Sequence, residues 1–83
     1  MKWTADTVQA EITQILQAFN PNRVELTPET SLTGDLGLDS LAAMNLVMEL
    51  EDRFDIDIPI NLLPDVHSLQ DLVDTVLGRL RDD

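Results

Sequence analysis

From Leu69 onward the apolar residues Leu69, Leu72, Val73, Val76, Leu77 and Leu80 fall at offsets 0, 3, 4, 7, 8 and 11. That spacing lines one face of an α-helix and does not suit the period of two found in strands. The chain repeats the pattern near its start, where Val8, Ile12, Ile15, Leu16 and Phe19 fall at offsets 0, 4, 7, 8 and 11 within Thr4 to Phe19. A third helical segment fits Asp39 to Phe54, with Ala43, Leu46, Val47, Leu50 and Phe54 forming its core face. Three amphipathic helices must bury their stripes against one another, so the sequence predicts an all-α fold.

The punctuation supports these limits. Asp6 and Glu11 complement the positive N-terminal end of the first helix, and Asn20-Pro21-Asn22 ends it, because proline restricts the residue before it. Ser68 suits an N-cap, with Asp71 three residues on in a variant of the capping box. Arg79 and Arg81 fall at the C-terminal end of the last helix, where cations are favoured. Asp55-Ile56-Asp57-Ile58-Pro59 reads as an extended linker, and Ile60 to Val66 as one short helical turn limited by Pro64. The expectation is a small four-helix bundle, three main helices plus one short one, forming a single domain over residues 1–83 with an ordered core of about residues 4–80.

Between the first two helices, Pro21 to Leu38 shows no period and is punctuated by Pro28, Gly34 and Gly37. Loops longer than about 12–15 residues are uncommon in compact domains and are often functional. Val24, Leu26, Leu32 and Leu36 give this one apolar anchors, so it is expected to be ordered.

Size and charge exclude several kinds of protein. A chain of 83 residues buries only about 60–65% of its unfolded surface, which leaves little room for an enclosed active site. With no cysteine there is neither a disulfide nor a thiolate metal site, and any thiol chemistry must come from an attached group. Sixteen acidic residues against five Lys plus Arg give a formal charge of −11, which repels nucleic acid and favours basic patches on other proteins. No apolar run approaches the roughly 20 residues of a membrane span, and Asp6 and Glu11 break up any secretory signal after Met1-Lys2-Trp3. The expected setting is cytoplasmic, and the expected state a monomer.

The second helix carries one apolar stripe too many. Leu41, Met44 and Met48 lie at offsets 0, 3 and 7, apart from its core face. At its head, Asp39 is a good N-cap, and Ser40 follows in the first turn, beside free backbone N–H groups. A phosphate ester on that hydroxyl would meet the positive end of the helix dipole. By position alone, Asp39-Ser40 is also an ordinary helix start.

Gly37-Leu38-Asp39-Ser40-Leu41 resembles the attachment-site signature of acyl carrier proteins. The likeness extends through Thr33-Gly34-Asp35-Leu36, the helix end Leu50-Glu51-Asp52-Arg53-Phe54, the linker before Pro59 and the helix after Ser68-Leu69. It implies that a phosphopantetheinyl transferase attaches 4′-phosphopantetheine to Ser40, next to Asp39, and that the arm's thiol carries acyl or related cargo as a thioester. The chain itself would be non-catalytic. Leu41, Met44 and Met48 would then form a docking patch for acyl-loading and acyl-processing enzymes, with Glu51 and Asp52 steering basic partners. Carriers of fatty-acid synthesis usually have acidic residues just after the serine, where this chain has Ala42 and Asn45. The segment Ile60–Val66 is also more apolar than theirs, so the resemblance leans toward a specialised pathway, including polyketide-type ones.

Other readings fare worse. A serine hydrolase lacks its base and oxyanion site, since His67 is the one histidine and the second glycine of a nucleophile elbow is missing. An EF-hand starting at Asp35 would place Ser40 and Leu46 where glycine and glutamate belong. The remaining alternative is an acidic helical adaptor that binds basic proteins and carries no prosthetic group.

Overall fold

The computed structural model describes residues 3–80, leaving aside the side chain of Ile60. Three α-helices dominate: α1 (Ala5–Leu16), α2 (Ser40–Phe54) and α3 (Leu69–Leu80). Two 3-10 pieces, Gln17–Phe19 and Ile60–Asp65, complete the order. The expected helical bundle is present, and Arg81 lies outside the described residues.

Helix α1 begins in a reciprocal cap that the sequence reading missed. Thr4 Oγ1 accepts the Thr7 N–H at 3.2 Å, and Thr7 Oγ1 accepts the Thr4 N–H at 2.8 Å. Threonine here does what Glu or Gln usually does in a capping box. Its core stripe, Val8, Ile12, Ile15 and Leu16, is buried as the periodicity requires. The last turn, expected to be α-helical through Phe19, tightens to 3-10 instead, because the approach to Pro21 disfavours the α conformation at Asn20. Asn20 is buried, and its amide clamps the reversal: Nδ2 donates to Val24 O at 2.7 Å and Oδ1 accepts the Val24 N–H at 2.9 Å.

The long first loop is ordered, as its apolar anchors predicted. Leu32, Leu36 and Leu38 join the core, while Val24 and Leu26 pack against it. The loop is also stitched to the start of α3 by backbone bonds. Leu69 and Gln70 donate to Thr30 O and Pro28 O, each at 3.0 Å, and Leu32 donates to His67 O at 2.9 Å. Ser31 and Ser68 thus form an antiparallel bridge. Ser68 Oγ accepts the Asp71 N–H at 3.2 Å, and Asp71 Oδ2 accepts N–H bonds from Ser68 and His67 at 3.1 and 3.0 Å. The expected cap at Ser68 is therefore complete, with His67 drawn in as well.

Helix α2 ends at Asp55, which adopts φ 54° and donates its N–H to Glu51 O. The extended stretch after it is held by Glu51, whose Oε2 accepts the Ile58 N–H at 2.8 Å. Pro64 was expected to confine the next segment to one turn. It lies within a six-residue 3-10 piece instead. A 3-10 ladder tolerates it because the Val66 N–H closes onto Leu63 O across the proline, which itself has no N–H to leave unpaired.

Helix α1 packs on both α2 and α3. Val8, Ile12, Leu16, Leu50, Leu69 and Val76 form the innermost layer. Trp3 closes one end, its ring edge-on to Phe54 with centroids 4.7 Å apart. Among the described residues no helix is long and apolar enough to cross a membrane.

Candidate functional site

The head of α2 is held from the loop side by buried side chains and a backbone hydrogen bond. Leu36 and Leu38 are buried, and between them Gly37 takes φ +67°, a left-handed conformation that costs glycine nothing. The Leu38 N–H donates to Leu32 O at 3.0 Å, which fixes the approach to the helix. Asp39 is extended and caps the helix, its Oδ1 accepting the Ala42 N–H at 2.8 Å. Ser40 is the first helical residue and is exposed.

Two contrasts set Ser40 apart. The N–H groups that open α3 are taken up by loop carbonyls and the Ser68 hydroxyl. At α2, among the described residues, the Ser40 and Leu41 N–H groups have no protein acceptor. The second contrast concerns the hydroxyls of the three serines. Ser31 Oγ holds the Gly34 N–H at 2.9 Å and Ser68 Oγ caps α3, whereas the Ser40 hydroxyl makes no bond to the rest of the described protein. An exposed, unengaged hydroxyl beside two open N–H groups suits a phosphodiester: the oxygen is available to be esterified, and the donors await an anion.

A cleft of about 370 Å³ opens beside Ser40. Its mouth is polar, with Thr33, Asp39 and Ser40, and its walls are apolar, with Leu46, Val66 and Leu72 among them. Sequence reasoning missed this cleft. Its signal was the surplus of apolar residues in the 3-10 segment, where Leu63 faces α2 across it.

The second stripe of α2 points outward. Leu41, Met44 and Met48 are 70%, 48% and 63% exposed, so core filling is ruled out for both methionines. Asp52, two turns from Met44, is exposed. Glu51 is placed differently: it is half-buried and engaged with Ile58 N–H, so its first duty is to the fold. No acidic residue occupies the first turn of α2. Among the described residues no cluster of His, Cys, Asp or Glu is arranged to hold a metal ion. His67 is exposed, with its N–H bound to Asp71.

Comparison with known proteins agrees with this geometry. The family model described as "Phosphopantetheine attachment site" matches residues 6–76. A probable acyl carrier protein of Caulobacter vibrioides is 51% identical over 49 residues, which span 59% of this chain and 57% of that protein. The acyl carrier protein of Cyanidioschyzon merolae is 36% identical over 72 residues, 87% of this chain and 76% of the relative. In three dimensions the crystal structure of an acyl carrier protein from Thermotoga maritima superposes with a TM-score of 0.75 at 25% identity, covering 94% of this chain and 92% of the other.

Proposed function

The chain belongs to the acyl carrier protein family, a non-catalytic carrier with a phosphopantetheine attachment domain over most of its length, and from that premise we propose that Ser40 bears the arm. The observation that carries this assignment is the state of the three serine hydroxyls: Ser31 and Ser68 hold the fold together, and Ser40 alone is exposed and unengaged among the described residues. When attached, the arm supplies a terminal thiol that holds cargo as a thioester.

The chain's own residues position that arm. The Asp39 cap keeps the first turn of α2 formed, so the open Ser40 and Leu41 N–H groups would be available to a phosphate on the Ser40 hydroxyl. Tethering then raises the concentration of cargo at a partner's active site to the millimolar range, about what a short flexible link gives. The cleft beside Ser40 offers apolar walls to a hydrocarbon portion of the cargo.

Leu41, Met44 and Met48 form the docking patch in this proposal, for the phosphopantetheinyl transferase and for the enzymes that load and process cargo. Asp52 steers basic partners as a free charge, with Glu51 contributing from a fixed position. The first turns of α2 offer no acidic residue to a partner; Ala42 and Asn45 are neutral. That favours a specialised biosynthetic pathway, polyketide-type or related, over the general fatty-acid role.

Intact mass spectrometry after incubation with coenzyme A, magnesium and a broad-specificity transferase tests the proposal. The wild type should gain one phosphopantetheine and Ser40→Ala none. An unmodified wild type beside a modified control carrier would instead favour an acidic adaptor with no prosthetic group.

A further inference from the structure

Met44 and Met48 stand one helical turn apart on the same face of α2, and both are largely solvent-exposed at 48% and 63%. Neither belongs to the hydrophobic core or to the residues packed against it. Two polarisable thioethers therefore lie open to water where the fold gains nothing from them, yet within about 12 Å of Ser40 along the helix axis at 1.5 Å per residue. An enzyme that reaches Ser40 must cover Leu41 and Met44, and one with an ordinary footprint covers Met48 too.

We propose that Met44 and Met48 are a reversible oxidation site through which peroxide lowers docking at Ser40. In the forward step the thioether sulfur attacks one peroxide oxygen, the O–O bond breaks, and a sulfoxide and water are formed. Sulfur loses two electrons and hydrogen peroxide gains them. A methionine sulfoxide reductase restores the thioether with two electrons from a dithiol, which becomes a disulfide as water leaves. Oxidation turns a flexible apolar side chain into a polar one. In a core that would unfold the domain. Here it leaves the core untouched and makes the docking face polar, so the modified protein stays folded while its partners bind less well. Glu49, Glu51 and Asp52 surround Met48, so the sulfoxide joins a surface that is already polar on one side.

The proposal rests on the docking patch assigned above, and the test separates the two. Hydrogen peroxide is applied to the apo protein, oxygen uptake is mapped by peptide mass, and helicity is followed by circular dichroism. Transferase kinetics are then measured on reduced, oxidised and reductase-treated samples. The expected result is one oxygen on each of Met44 and Met48, unchanged helicity, and about a tenfold fall in kcat/KM, mostly through KM, reversed by the reductase. The Met44→Leu/Met48→Leu double variant keeps the apolar patch and Met1, and should keep its kcat/KM after peroxide. Full oxidation at both positions with unchanged kinetics overturns the proposal, as does an equal loss in the double variant. A reduced wild type that accepts no phosphopantetheine would instead defeat the carrier assignment itself.

Discussion

Asp39 is the N-cap of α2, whereas at α3 Ser68 is the cap and Asp71 stands three residues on, in the first turn; the two carboxylates leave their helix heads in different states. Asp39 takes a single N–H, from Ala42, and leaves the first two N–H groups of its helix open. Its replacement in Asp39→Ala should cost about 1 kcal/mol in chemical denaturation, the usual worth of an N-cap, and should slow modification of Ser40 more than it lowers stability at working temperature. Asp71 instead closes its junction. The His67 N–H does most to hold its carboxyl below the ordinary value of 3.8, partial burial opposes this, and Ser68's N–H and hydroxyl add to the lowering. A carboxyl whose pKa is depressed in the folded state contributes stability above its unfolded value, and that contribution is lost as pH falls through the folded one. The stability gap between wild type and Asp71→Asn should therefore be full near about pH 6 and shrink steadily below about pH 4. A gap independent of pH would contradict it. The caps at Asp39 and Ser68 and the exposed Ser40 were legible in the sequence because those residue types are usual at helix starts; the Thr4–Thr7 cap was not, since threonine stands where Glu or Gln is usual. The pairing of His67 with Asp71 was not, since it depends on a turn whose backbone the residue types do not dictate.

At the scale of elements, α2 works with two faces: an outer patch, and a core face whose Ala43, Leu46 and Val47 also wall the cleft. The periodicity predicted the core and outer faces, because a helix presents residues at fixed angles. The cleft was not legible, since it exists only where the 3-10 segment lies back across α2, and that placement depends on long-range ties. Glu51 is one of them. By taking the Ile58 N–H it anchors the extended stretch that leads to Leu63 and Val66, both of which line the cleft. Glu51→Ala should destabilise the fold by about 1–2 kcal/mol and speed amide exchange at Ile58 more than at the centre of α1. Uniform exchange changes across all helices would argue against this anchoring role. From sequence Glu51 looked like one more surface charge. Its structural bond reaches past the end of α2 to Ile58 in the extended stretch, a contact that helical spacing does not predict.

The whole molecule bears 16 acidic residues against five Lys plus Arg on a core only a few side chains thick. The Arg53–Glu11 pair links α2 to α1, but exposed pairs add little to stability. Self-repulsion should therefore be relieved by screening. Moderate salt or millimolar magnesium should raise Tm by about 4–8 °C, the shift expected if roughly 1 kcal/mol is recovered, and identical melting curves would refute it. The same charge would speed encounters with basic partners, and the proposal gives those encounters one position to act on, Ser40. Fragmentation mass spectrometry of the transferase-treated protein tests that claim most directly, because Ser31, Ser40 and Ser68 fall in separable parts of the chain. Phosphopantetheine confined to fragments containing Ser40 is the predicted result; its appearance on Ser31 or Ser68, or on none of the three, would contradict the account.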